Sequence, residues 1–329
     1  MKAIMIVGLG SMGKRRLRLL KKLCPELTIC GVDRDEIRRE FVESNFGIST
    51  YASIAEAVEA QEPEAAVVST SPLSHSAVVR ECLEAGLHVF TELNLVSDGY
   101  QENTALANKK GKVLFLSSTF LFREENKYII DRVKRSGEIL NYRFHVGQYL
   151  PDWHPWERYQ DYFVGDARTN GCRELLAIEL PWLCATFGPI CDVQVIRKKC
   201  TKLQINYADS YMLLVRHKNG HQGSICIDVV SRKPVRLLEV YGENLYLTWG
   251  GQPDTLREWD VENKEERVIQ SLEETEHQQG YAEFIVENAY ENELVAFLDC
   301  VRYGKRVPYS FVDDLETLRW IDHIELTEG

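Results

Sequence analysis

The apolar run "AIMIV" at residues 3–7 passes straight into "GLGSMGKR", which sets Gly8, Gly10 and Gly13 in the order G-x-G-x-x-G. Three spaced glycines alone constrain little. Here they follow a run that reads as a buried strand and open "KRRLRLLKKL", whose leucines recur at helical spacing. In that setting each glycine has its own task. Gly8 permits the tight turn, Gly10 lets backbone approach a pyrophosphate, and Gly13 allows close helix–strand packing. Ser11 and Met12 complete a phosphate-binding loop, and the helix start offers unpaired N–H groups and a positive dipole end. A second strand, "LTICGVD", ends in Asp33, about 20 residues past the last glycine, where an acid bonds the adenosine ribose hydroxyls. Its charge would repel a 2′-phosphate, which puts NAD(H) ahead of NADP(H). Arg34, next in the chain, keeps NADP(H) as the alternative, because it can pair with that phosphate.

The alternation continues. "EIRREFVESNF" and "SIAEAVEAQEP" are helical, "EAAVVST" is a strand, "SHSAVVRECLEAG" a helix, "LHVFTE" a strand, "GYQENTALANKKG" a helix and "KVLFLSST" a strand. Strand–helix repetition of this kind predicts an α/β parallel sheet, a Rossmann domain over residues 1–122. After residue 122 one helix, 124–136, precedes longer strand-like runs, with "HKNGHQG" and "YGEN" as hairpin turns. Residues 123–329 therefore predict an α+β domain with a large, mostly antiparallel sheet for substrate binding and oligomerisation. Two helices, about 280–303 and 312–327, close the chain, and the last can pack back on the first domain. A length of 329 residues suits two domains. The formal net charge of -11 argues against nucleic acid or an anionic membrane as partner. No run reaches the ~18 apolar residues of a membrane span, no secretory signal is evident, and nine scattered cysteines without a Cys-x-x-Cys pair fit reduced thiols. The expectation is a cytoplasmic protein without a metal site; the spacing of Cys184, Cys191 and Cys200 matches no standard one.

"VVSTSPLSHSAVVRECLEAGLHVFTELNL" resembles the Gfo/Idh/MocA family, named for glucose–fructose oxidoreductase and inositol dehydrogenase. The match runs through the turn at Thr70, Ser71 and Pro72, then His75, "AGLHV" and Glu92. The resemblance implies that Thr70, Ser71, Pro72 and His75 line the nicotinamide end of the cofactor cleft, with Glu92 beside the nicotinamide ribose. The family's usual chemistry moves a hydride between a sugar carbon and the nicotinamide while a lysine, a histidine and often an aspartate manage the proton. Here the Glu-Lys-Pro lysine is Leu93. In "NGCRELLAIELPWLCATFG" the histidine position is Ile178 and the aspartate position Pro181, while Glu179 is kept.

Polar groups that could stand in are concentrated in "GQYLPDWHPWERYQDYF", residues 147–163. Aromatic faces beside carboxylates, an arginine and a histidine suit a carbohydrate-like ligand. Trp153, Glu157 and Tyr159 are expected at the substrate, and His154 or Glu179 as the acid/base. Arg173, Glu174 and Glu179, charged on an apolar segment, either form internal ion pairs or face the cleft and bind a charged substrate. The expectation is an NAD(P)-dependent oxidoreductase of a sugar, sugar acid or nucleotide sugar. The alternatives are a dinucleotide-binding sensor or partner protein without turnover, and an enzyme that uses NAD transiently for elimination or epimerisation. By resemblance the protein is a homodimer or homotetramer.

Overall fold

β1 (Ala3–Val7) is buried along its whole length, as an apolar run between two parallel neighbours must be. In a computed structural model, which describes residues 1–271 and 286–327, the chain divides into two units. The first is Met1–Ser118 with Tyr290–Glu316, and the second Thr119–Ala289 with Thr317–Gly329. The first unit holds β1, α1 (Ser11–Leu23), β2 (Thr28–Val32), α2 (Glu36–Phe46), β3 (Thr50–Tyr51), α3 (Ile54–Gln61), β4 (Ala65–Val68), α4 (His75–Glu84), β5 (His88–Thr91), α5 (Tyr100–Lys110) and β6 (Leu114–Leu116). Their order across the sheet is β3-β2-β1-β4-β5-β6, and every pairing is parallel. This is the expected Rossmann sheet.

Local chemistry fixes the helix ends. Asp35 caps α2 by accepting from the Ile37 N–H, and Ser53 caps α3 by accepting from the Glu56 N–H. Gly47 and Gly111 close α2 and α5 in the left-handed region. The strand order reverses between β1 and β4, so the segments leaving these two strands diverge there. That is where open α/β sheets bind ligands.

The second unit contains α6 (Glu124–Ser136), β7 (Asn141–Gly147), α7 (Gly171–Phe187), β8 (Ile190–Lys198), β9 (Ser210–His217), β10 (Gln222–Asp228), β11 (Val235–Tyr241), β12 (Tyr246–Trp249), β13 (Arg257–Asp260) and β14 (Glu265–Val268). The sheet runs β14-β13-β12-β11-β7-β10-β9-β8. It is antiparallel except for β7 beside β10, which matches the expected mostly antiparallel sheet. Burial alternates along β9: Tyr211, Leu213 and Val215 face inward, while Met212 and Leu214 are exposed. α8 (Glu287–Tyr303) and α9 (Phe311–Leu326) close the chain. The expected helix start at 280 lies outside the described residues. Among the described residues no helix is long and apolar enough to cross a membrane, and no group of three or more His, Cys, Asp or Glu is set to hold a metal ion.

Candidate functional site

The glycine loop of the first unit has the geometry its spacing predicts. Gly8 sits at φ +93°, and a Cβ there would lie 2.6 Å from the Ser69 carbonyl oxygen. A Cβ on Gly13 would stand 1.8 Å from the Gly8 carbonyl oxygen, so only glycine lets α1 pack this close. Gly10 differs. Only the Arg38 guanidinium comes near its Cβ position, at 3.9 Å, so this face of the loop is open to an approaching group. No side chain caps α1, and its first turn carries no acid. An uncapped helix start beside an open glycine is what a pyrophosphate needs. Ser11 is exposed and Met12 half-buried at this turn.

Asp33 braces the loop. Its Oδ2 accepts the Leu9 N–H at 2.8 Å and its Oδ1 the Asp35 N–H at 2.9 Å. Arg34 is exposed beside it. These residues fit a dinucleotide: Gly8, Gly10 and Gly13 would shape the cradle, Ser11 and Met12 would bring the helix N–H groups, and Asp33 with Arg34 would face the ribose.

After β4, the Ser74 hydroxyl donates to Thr70 Oγ1 at 2.8 Å and lies 3.4 Å from Ser71 Oγ. Pro72 and His75 are buried. His75 Nε2 lies 2.9 Å from the Thr70 carbonyl and Nδ1 2.6 Å from the Asn94 side chain. Burial pushes the His75 pKa down. Both ring nitrogens thus face acceptor oxygens, the Thr70 carbonyl and Asn94 Oδ1, and a neutral ring donates to one of them. Glu92 accepts from Arg16 Nε at 2.6 Å and Nη2 at 3.1 Å, and Arg16 Nη2 also donates to Glu293 at 2.7 Å. Arg16 is fully buried. Residues 13, 16, 17 and 20 share a helix face, so the period of α1 could have marked Arg16 as buried.

In the second unit, Asn170 caps α7 by accepting from the Arg173 N–H at 2.8 Å. The two charged candidates Arg173 and Glu179 turn inward. Arg173 donates to Asp322 at 2.6 Å and also to Glu325. Glu179 has no exposed surface: Oε1 accepts from Arg236 Nε at 3.0 Å and Nη2 at 2.7 Å, and Oε2 from Trp182 at 2.6 Å. Both carry internal ion pairs, one of the two outcomes expected of them.

Glu174 is different. As a residue it is half-buried, yet Oε2 is sealed from solvent and has no hydrogen-bond partner among the described residues. Burial pushes its pKa up to about 7. It lies one turn before Ile178, and both are the less buried residues of their turns, so they share one helix face. Tyr162, which sequence reasoning left out of the named site residues, also has a buried hydroxyl without a partner among the described residues. Its pKa is raised by burial first, then by the charge of Glu174 and Glu157. Above it, His154 stacks at 4.5 Å on Tyr162 and 5.1 Å on Trp156, and its Nδ1 contacts Glu157 at 2.7 Å. Trp153 donates to the Gln148 carbonyl at 3.0 Å, and the Tyr159 hydroxyl accepts the Gln204 N–H at 3.0 Å. These two bonds tie the loop down.

Comparison with known proteins bears on the whole arrangement. Residues 2–118 match the oxidoreductase family with an NAD-binding Rossmann fold. The chain is 26% identical over 244 residues to human biliverdin reductase A, a span covering 74% of this chain and 72% of that protein. Two solved structures share the fold. Biliverdin reductase from Synechocystis sp. PCC 6803, in complex with biliverdin and NADP+, has TM-score 0.73 at 18% identity over 98% of this chain and 97% of that one. UDP-N-acetylglucosamine 3-dehydrogenase from Acidithiobacillus ferrooxidans has TM-score 0.76 at 15% identity over 99% of this chain and 97% of that one. Over residues 2–118 the chain is therefore similar to the NAD-binding Rossmann domain of the Gfo/Idh/MocA oxidoreductase family.

Proposed function

We propose that this chain is an NAD(P)H-dependent reductase of a planar, conjugated, carboxylate-bearing substrate of the bilin class, with Glu174 as its proton donor. The observation that carries this is Glu174 Oε2, sealed and without a hydrogen-bond partner among the described residues, within electrostatic reach of the Tyr162 hydroxyl, which is likewise buried and without a partner there. Reduction of a conjugated double bond needs a hydride at one atom and a proton at the next. A reduced nicotinamide, when bound at the glycine loop, would supply the hydride. A carboxyl with its pKa near 7 is still substantially protonated at neutral pH and can give up that proton. Tyr162, within the field of Glu174, is suited to pass a proton back to it, and His154 with Glu157 leads from Tyr162 to solvent. The missing lysine and histidine matter less to such a reaction than to alcohol oxidation, where a base must take a proton from a hydroxyl.

The loop also suits a flat ligand. Trp156 is 71% exposed and continues the stacked series His154–Tyr162. Arg232, exposed, lies 3.6 Å over the Tyr149 ring and is followed by the exposed Lys233, a cationic pair suited to carboxylates. The similarity to human biliverdin reductase A agrees with this reading. In this scheme Trp153 and Tyr159 fix the platform, Glu157 orients His154, and Glu179 and Arg173 hold α7 in place.

The second reading keeps a sugar or nucleotide sugar as substrate, since aromatic faces also stack on ring C–H groups. The likeness in fold to the UDP-N-acetylglucosamine 3-dehydrogenase favours it. A test supplies NADH or NADPH with biliverdin, then NAD+ or NADP+ with UDP-N-acetylglucosamine and inositol. Cofactor oxidation with loss of the biliverdin colour supports the reductase. Turnover with the sugars alone supports the second reading. Cofactor binding without turnover on either panel leaves a dinucleotide-binding protein without redox chemistry.

A further inference from the structure

The rim of the glycine loop carries a group that the motif does not predict. Asp33 is the acid expected to select NAD(H), yet each of its oxygens already holds a backbone N–H, those of Leu9 and Asp35. Arg38, on the first turn of α2, brings Nη1 to 3.7 Å from Asp33 Oδ2 and Nε to 3.6 Å from Asp35 Oδ2. The same Nη1 is 3.9 Å from the Cβ position of Gly10, so the guanidinium overhangs the open face of the loop. It is 55% exposed, and these long ion-pair distances leave its N–H groups available to a better acceptor. Arg39 is not equivalent. It turns inward, donating to the carbonyls of Asp33 at 2.8 Å and Arg34 at 3.1 Å. Further cations border the rim: Arg34 is exposed, and Lys14 lies 4.7 Å above the ring of Phe41, one turn past Arg38.

We infer that Arg38 reads the 2′ position of the adenosine ribose and pairs with the 2′-phosphate of NADPH, so that the chain takes NADPH despite Asp33. A planar guanidinium can meet a phosphate with two N–H groups. As it turns from Asp33 and Asp35 to the phosphate it exchanges weak pairs for a strong one. In the absence of a 2′-phosphate it stays with the two aspartates, whose charge it partly offsets. This inference rests on the dinucleotide reading of the glycine loop and adds the choice between the two dinucleotides.

Nicotinamide fluorescence titrations of the full chain and of Arg38→Ala, each with NADH and NADPH at low and high salt, test it. The expected result is that wild type binds NADPH at least as tightly as NADH. Arg38→Ala then weakens NADPH on the order of tenfold or more and leaves NADH within about twofold. Added salt should weaken NADPH more than NADH in the wild type, and that excess should vanish in Arg38→Ala, a response that a loss of packing would not produce. Equal weakening of both cofactors, or of neither, overturns the inference while leaving the dinucleotide reading intact. Failure of the wild type to bind either cofactor overturns both.

Discussion

Replacing Glu174 by glutamine removes a buried ionisable group while keeping its shape. Moving a carboxyl from its ordinary 4.5 to about 7 corresponds to about 3 kcal/mol. The sign follows from which state holds the proton. Below pH 4.5 the group is protonated in both folded and unfolded chains, and burial carries no charge penalty. Between 4.5 and about 7 the unfolded chain gives up its proton while the folded chain keeps it. Stability then falls as pH rises, by up to about 1.4 kcal/mol per pH unit. Above about 7 both states are ionised, and the loss is complete. Glutamine titrates nowhere, so Glu174→Gln should match wild type near pH 4.5 and exceed it by about 3 kcal/mol at about pH 8.5. Urea unfolding of both proteins across that range measures the difference, in which other titrating groups cancel. The proposed donor role adds a kinetic signature. Wild-type turnover should decline as pH rises through about 7, and Glu174→Gln should lose roughly 10²–10⁴-fold together with that limb of the profile. A stability difference that stays flat with pH would refute the burial reasoning. A variant as fast as wild type would refute the donor role.

The cradle makes a paired prediction. Gly13→Ala drives a Cβ into the Gly8 carbonyl and should lower both the melting temperature and cofactor affinity, whereas Gly10→Ala, in open space, should melt as wild type yet bind cofactor at least about tenfold more weakly. We also propose that the open face of the second unit's sheet, where Ile196, Met212 and Leu237 line up across β8, β9 and β11 through Cys226 and His145, joins copies of the chain. Met212→Glu should then shift the protein to a smaller species in light scattering, and an unchanged mass would discard that face.

What could be read from the sequence was set by local physics. α2 and α6 coincide with the helical runs 36–46 and 124–136, and Asp35 and Gly47 bound α2 while Gly137 ends α6, each acting within a turn of itself. The Rossmann sheet was legible as apolar runs, since parallel strands are buried on both faces. β13 and β14 were not: "REWD" and "EERV" carry no apolar alternation, and their pairing is set by the neighbouring strand. The fates of Arg173 and Glu179 also lay beyond local reasoning. Their partners are 149 and 152 residues away for Arg173 and 57 away for Glu179, so only tertiary packing decides which charge is neutralised. Glu174 emerged for the converse reason, because among the described residues no partner reaches its buried Oε2. Tyr162 was visible as one aromatic among many, but an unpaired hydroxyl is a property of its surroundings.

The stretch "TELNL" shows why a motif can keep one residue and lose the next. Glu92 is held by a buried arginine, and Arg16 also needs Glu293. Removing one member of such a set leaves an uncompensated buried charge, typically 3–5 kcal/mol. Glu92 therefore has a reason to persist that is independent of any lysine. Leu93 is half-buried and asks nothing of its neighbours. Asn94 is buried and its Oδ1 contacts His75 Nδ1, while the other ring nitrogen lies against the Thr70 carbonyl. A proline at 94 could not make that bond, because it has no side-chain amide. The segment thus reads as a scaffold for the Thr70–Pro72 turn, with the charge of Glu92 fixed by Arg16 and the ring of His75 fixed by Asn94. A scaffold of this kind can hold a cofactor without moving a proton. The proton then has to come from another group, the role proposed above for Glu174, whose Oε2 is buried and without a partner among the described residues.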